Sequence, residues 1–260
     1  MTNRWRFSPM EFYVLWQDFA KDALPEPFLF TSESGSADEF DAELHATRSR
    51  LNSNGDREIR NVLEAVHNPD LYLLIYGWNA REPLASETKL RVLATRRGAK
   101  GYVVTQLPGH SYWYSGGYVI AECDPLTLAD QAVAAIPFAE GGRREQIVLK
   151  TKGDEEFDYE FGRSAVLDDS PDSMGRPSLN FGSTAAGSVG EIYIVQGRSA
   201  FGPRGTMQYL LRWRDLDDDG RYVVADENPT VAVTADADRT KGLINSRIAA
   251  IVKAIREERG

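Results

Sequence analysis

The chain has a single cysteine, Cys123, in 260 residues, so no internal disulfide can form and nothing marks an oxidising compartment. Its three histidines, His45, His67 and His110, fall in separate segments without paired metal-ligand spacing and read as surface or core side chains. Basic residues are outnumbered, 30 Lys and Arg against 39 Asp and Glu, giving a net charge of -9. That balance excludes general nucleic-acid binding, which needs a basic surface to displace counterions. It also disfavours docking on an anionic membrane. Long apolar runs are missing: none approaches the ~18 residues that span a bilayer. The opening stretch MTNRWRFSPMEF lacks the apolar core of a signal peptide, so the expectation is a soluble cytoplasmic protein. No G-x-S-x-G elbow, G-x-G-x-x-G turn or phosphate-binding G-x-x-x-x-G-K occurs, and the run from Gly182 to Gly187 (GSTAAG) is loop composition.

What is present is a pattern stated twice. Residues 71–76 (LYLLIY), 89–95 (KLRVLAT), 101–107 (GYVVTQL) and 118–123 (YVIAEC) read as strands, leading through Asp124 and Pro125 into a helix that stops at Pro137. Residues 191–195 (EIYIV), 206–213 (TMQYLLRW), 221–225 (RYVVA) and 230–234 (TVAVT) read as strands again, leading through Asp236 into a helix over 240–256. The expectation is an α+β fold in one domain made of two pseudo-repeats, about 1–140 and 141–260. A duplicated run of this kind, without a catalytic signature in either copy, points to a binding scaffold.

Three helices precede the first sheet. Ser8, Pro9 and Glu11 make a capping box with proline at the first helical position, and Phe12, Leu15, Trp16 and Phe19 form an apolar face. Ser36 and Glu39 repeat the capping signal, ahead of Phe40, Leu44 and Leu51. A third helix runs from an Asp56 cap through Ile59, Val62, Leu63 and Val66 to Asn68-Pro69. Residues 27–31 (PFLFT) and 146–150 are candidate strands. Residues 79–88 and 108–117 are hairpin loops, the second carrying Tyr112, Trp113 and Tyr114 in succession; such residues anchor protein interfaces. An acidic stretch over 154–169 is followed at 170–189 by a Ser-, Gly- and Pro-rich run without apolar periodicity, expected to be a mobile loop.

Asp215, Asp217, Asp219, Gly220 and Asp226 follow a calcium-loop spacing, but the flanks alternate as strands and the twelfth position is Asp rather than Glu. A hairpin turn is the expected form, since Asp tolerates turn geometry and Gly takes positive φ. Cys123 precedes a helix N-terminus, which lowers a thiol pKa, yet no histidine neighbours it and packing is the expected role. Arg212 and Arg214 flank Trp213 and so share the opposite strand face.

Taken in order, the blocks Phe7-Ser-Pro-Met-Glu-Phe-Tyr-Val-Leu-Trp16, Arg212-Trp-Arg-Asp215 and Asp219-Gly-Arg-Tyr222 resemble the EspG family of ESX (type VII) secretion-associated chaperones. The first is similar to the family's opening (T/S)-P-x-E-(F/L)-x-x-L-W, the others to its W-x-D and G-R-Y block ahead of a strand and terminal helix. The resemblance implies a quasi-two-fold, largely antiparallel central sheet flanked by N-terminal and C-terminal helical bundles. It also implies a cytoplasmic chaperone that binds the PPE subunit tip of PE–PPE heterodimers without catalysis, cofactor or metal, as a monomer or weak homodimer. The contact surface it implies is the central sheet over about 191–214, with the helix from Leu243 and loop 79–88. Tyr193, Gln208, Tyr209, Arg212 and Arg214 are the expected contact residues. Two other readings stay open: a small hydrolase or ligand-binding protein with its site between the halves, and a homomeric structural protein.

Overall fold

A computed structural model describes residues 3–54, 57–149, 181–225 and 230–259. Its described strands form one ten-stranded sheet in the order β1-β5-β4-β3-β2-β7-β8-β9-β10-β6, every described pair antiparallel. In the first half these are β1 (Arg4–Phe7), β2 (Leu71–Asn79), β3 (Leu90–Arg97), β4 (Lys100–Pro108) and β5 (Ser115–Cys123). The second half supplies β6 (Gln146–Val148), β7 (Ala186–Gln196), β8 (Gln208–Leu216), β9 (Gly220–Ala225) and β10 (Val231–Thr234). The central pair is β2 with β7, in register from Leu71 opposite Gln196 to Asn79 opposite Ser188.

Helices α1 (Pro9–Ala20), α2 (Ala37–Asn54) and α3 (Arg57–His67) lie on one side of the sheet, over β3, β4 and β5. Helices α4 (Leu128–Ala135) and α5 (Ala237–Arg259) pack on each other against the opposite side. Alternation along the strands feeds both layers. Leu71, Leu73, Ile75, Ile192 and Ile194 join the core beneath α4 and α5, whereas Leu74 and Leu93 join the core beneath α1 and α3.

The caps follow the local chemistry. Glu11 N–H donates to Ser8 Oγ at 3.2 Å and Ser8 N–H to Glu11 Oε2 at 2.8 Å, the reciprocal pair of a capping box. Burial pushes the Glu11 carboxyl up, but bonds from Ser8 and from Arg50 outweigh it and hold the pKa below its usual value. At α2 half of the box forms: Glu39 N–H donates to Ser36 Oγ, but Glu39 Oε2 accepts from Gly35 N–H, one residue before the cap.

Several expectations shift. Residues 27–31 are not a strand: β1, unassigned from sequence, pairs with β5 and fills that edge. The segment is held instead by side chains, with Leu29 N–H donating to Gln106 Oε1 and the Tyr118 hydroxyl to the Leu29 carbonyl. Asp124 caps a 3-10 turn, Pro125–Thr127, before α4 begins. Helix α5 starts at Ala237 rather than Thr240, because Asp236 Oδ1 accepts from Arg239 N–H. The expected loop at 170–189 lies outside the described residues up to 180; Ala186, Gly187, Ser188 and Val189 are strand, the first residues of β7. The Asp56 cap, the acidic stretch 154–169 and Asp226 also lie outside the described residues.

Candidate partner-binding surface

The block at β8 and β9 is a structural fastening of the sheet. The Trp213 indole lies over the seam between β2 and β7, where Gly77 and Gly190 face each other; a Cβ on Gly190 would sit 2.1 Å from the Trp213 ring and from the Tyr76 carbonyl oxygen. Trp213 Nε1 donates to Ser188 Oγ at 3.2 Å. Arg221, 2% exposed, donates from Nε and Nη2 to the two oxygens of Asp215 at 2.6 and 2.8 Å, and from Nη2 to the Pro137 carbonyl at 2.6 Å. Asp217 pairs with Arg81, and Asp219 accepts from Arg143 N–H and the Tyr222 hydroxyl. These carboxylates are thus committed, and the chain between β8 and β9 turns with Asp218 at φ 59° and Gly220 at φ 146°.

A trough opens on the α1–α3 side of the seam, where those helices do not reach. Tyr72, Leu74, Tyr76 and Trp78 of β2 and Glu191, Tyr193 and Val195 of β7 form its floor, with Glu26 and Gln208 at its walls, enclosing about 430 Å³. Pairing places Tyr72 opposite Val195, Leu74 opposite Tyr193 and Tyr76 opposite Glu191. A second hollow of about 360 Å³, walled by Trp16, Pro25, Val66, His67 and Pro69, shares Glu26, Tyr72 and Leu74 with it, so the two are continuous.

The tyrosines are half-buried, and the hydroxyls of Tyr76 and Tyr193 are anchored. Tyr76 and Tyr193 meet edge to face with ring centroids 6.0 Å apart. The Tyr76 hydroxyl donates to Glu26 Oε2 at 3.3 Å and the Tyr193 hydroxyl to Glu191 Oε2 at 2.9 Å, while Arg212 Nε donates to Glu191 Oε1 at 3.1 Å. Burial first, then the Glu26 charge, pushes the phenols of Tyr72 and Tyr76 above the ordinary tyrosine value, so both stay neutral through the physiological range. The trough is therefore an aromatic floor rimmed by fixed polar atoms, the composition of a protein docking surface.

The five expected contact residues divide. Tyr193 lies in the floor, Gln208 in the wall and Arg212 beside them. Arg214 is on the same face but further along, half-buried and donating to the Thr184 carbonyl at 2.5 Å. Tyr209 lies outside the trough: opposite Ile194, it faces the other side and packs against the core beneath α5. Helix α5 lies on that same other side, so its apolar residues Leu243, Ile248, Val252 and Ile255 line the core rather than the trough. Strand alternation alone separates Tyr209 from Gln208 and Arg212. Loop 79–88 stands at the trough's Trp78 end.

Tyr72, Tyr76 and Trp78 escaped the sequence reading, although every second residue of LYLLIYGW is aromatic or faces the same way. Of the other candidates, Cys123 is half-buried, and burial, with Asp124 and Glu122, pushes its thiol up to about 11, away from nucleophilic use. His67 packs against Trp16 and Phe19, and His110 sits 3.3 Å from Glu33. No cluster of His, Cys, Asp and Glu among the described residues has the arrangement of a metal site, and no described helix is long and apolar enough to cross a membrane.

None of the curated proteins compared matches the chain significantly. Among solved structures, the fold is similar to that of the Mycobacterium tuberculosis type VII secretion system chaperone EspG5, determined in complex with the PE25-PPE41 dimer. That likeness has a TM-score of 0.56 and 12% identity, and covers 98% of this chain and 96% of that one. The EspG family model matches residues 8–241, and the chain belongs to the EspG family.

Proposed function

We propose that this protein is a cytoplasmic, non-catalytic chaperone of type VII secretion, binding PE–PPE heterodimers through the PPE subunit tip and keeping them soluble for export. The aromatic trough carries this reading. An exposed apolar tip self-associates in water unless covered, and the floor of Tyr72, Tyr76, Trp78 and Tyr193 offers a preformed cover with little side-chain entropy to lose. Family membership and the EspG5 fold, seen with the PE25-PPE41 dimer, support it. The two carboxylates of the trough support a non-catalytic role. Glu191 is tied to Tyr193 and Arg212, and Glu26 accepts from Tyr76, rather than the pair converging on a reaction centre.

The same reading takes the chain as one unit of two repeats, about 1–140 and 141–260, monomeric or weakly dimeric. Outward from the seam the strands run β2, β3, β4, β5, β1 in one direction and β7, β8, β9, β10, β6 in the other, and that correspondence supports the duplication.

Co-expression with PE–PPE pairs from the same genome, with a tag on this chain and sizing of the eluate, tests the function. A stoichiometric ternary complex is the expected outcome; a folded chain that captures no pair refutes it. Arg212→Glu should weaken capture of the cognate pair while the melting temperature barely moves, because Arg212 is exposed and a surface ion pair contributes only ~0–1 kcal/mol. Unfolding of this variant, or unchanged affinity, would show the surface to be misplaced.

A further inference from the structure

At its Trp78 end the trough runs into a pair of cations, Lys89 and Arg91, that have no carboxylate partner among the described residues. Lys89 Nζ lies 5.5 Å from the Trp78 ring centroid and 4.6 Å from that of Tyr112. Arg91 Cζ lies 5.0 Å from the same Tyr112 ring. Arg91 is 9% exposed, and its one described hydrogen bond is a long one, from Nη2 to the Tyr112 carbonyl at 3.5 Å. Among the described residues neither cation pairs with a carboxylate, in a chain whose acids outnumber its bases 39 to 30. Several other arginines do have a carboxylate: Arg48 pairs with Asp18, Arg50 with Glu11, Arg97 with Glu64 and Arg221 with Asp215.

A guanidinium withdrawn from water without a counter-charge is costly, and a second cation beside it adds repulsion. Burial, and then the Arg91 charge, hold the Lys89 ammonium below its ordinary pKa. Aromatic faces compensate in part. The rings lie beside both cations but do not replace the oxygen acceptors that a carboxylate offers, in pairs to a guanidinium and singly to an ammonium. The surface beside the pair is also dressed for contact: Trp113, edge to face with Tyr112 at 4.7 Å, is 61% exposed.

We propose that Lys89 and Arg91, oriented by Trp78 and Tyr112, form an acceptor for an Asp or Glu carboxylate at the rim of the partner segment seated in the trough. This rests on the docking reading above. The trough supplies apolar contact to any partner of suitable shape; the cation pair selects among partners, because a partner with lysine or no charge at that position leaves both cations desolvated and unpaired. Loop 108–117 thereby acquires a purpose that loop 79–88 and the sheet floor do not supply.

The test uses the full chain and the PE–PPE dimer it captures, with affinity measured by calorimetry at low and high salt. Lys89→Gln should weaken binding several-fold and flatten its salt dependence, and Lys89→Glu should weaken it by roughly tenfold or more. Reversing one acidic residue of the dimer to lysine should restore binding to Lys89→Glu. Arg91→Gln belongs in the set, but Lys89, less buried, decides the matter if the Arg91 variant does not fold. If Lys89→Glu binds as wild type does with the same salt slope, the acceptor is overturned while the chaperone reading stands. If the folded wild-type chain captures no dimer, both fall together. A homodimer that Lys89→Glu abolishes would make the occupant a second copy and overturn the proposal as stated.

Discussion

Along β2 and β7, neighbouring residues meet two different surroundings. Leu71, Leu73, Ile75, Ile192 and Ile194 are at most 1% exposed beneath α4 and α5. Tyr72, Tyr76 and Tyr193, each one position from one of these, line an open trough together with Trp78. Antiparallel strands tolerate such a division, since each face is filled independently. The first face holds the sheet together by excluding water over both halves; the second keeps apolar area in reserve, with hydroxyls tied to Glu26 and Glu191 so the rings stay in place. The difference separates stability from recognition at the scale of one residue.

The contrast is sharpest at adjacent positions of β7. Ile194→Ala should cost about 2–5 kcal/mol by leaving a cavity in a fully buried site. Tyr193→Ala, on the trough floor, should cost far less stability but markedly weaken capture of a PE–PPE dimer. Denaturant midpoints and calorimetry on the two variants break the comparison if both properties fall together in both proteins.

Gly190→Ala probes the fastening between the faces. Its new Cβ would collide with the Tyr76 backbone oxygen, which cannot move without shifting β2, so a loss of about 3 kcal/mol is expected in the denaturant midpoint. A neutral result would mean the seam is looser than its geometry.

The smallest effect is at alkaline pH. Burial pushes the Tyr118 phenol, beneath α1, up to about 12. A raised phenol favours the protonated folded state, so its contribution is fully present below the ordinary value near 10 and is lost as pH climbs toward 12. Wild-type stability should therefore fall by up to about 2 kcal/mol more than that of Tyr118→Phe across that window. Parallel curves for the two proteins would remove Tyr118 from the buried face.

Much of this molecule was readable before any coordinates. The capping box at Ser8, the Ser36 side-chain cap, the strands around LYLLIY and EIYIV, and the hairpin at Asp217–Gly220 depend on short-range chemistry: a side-chain oxygen three residues from an N–H, alternation of two, a glycine where φ is positive. Where nonlocal partners decide, the reading slipped. Residues 27–31 have strand composition, but the edge they would join is taken by β1, four residues that carry no strong signal of their own. On β8, alternation separates Tyr209 from Gln208 and Arg212, but which of the two faces is covered is set by where the helices lie.

The sequence by itself determined most of the elements, the double strand pattern and the family resemblance, because caps, periods and ordered motifs are written in neighbouring residues. Only the tertiary structure decided which face stays open. That depends on where α1–α3 stop across the sheet, which way α4 and α5 fold back, and how Trp78, the Lys89–Arg91 pair and Tyr112, from three separate segments, come to share one end of a trough. Packing across the sheet is a nonlocal sum of buried area, and no local pattern states its outcome.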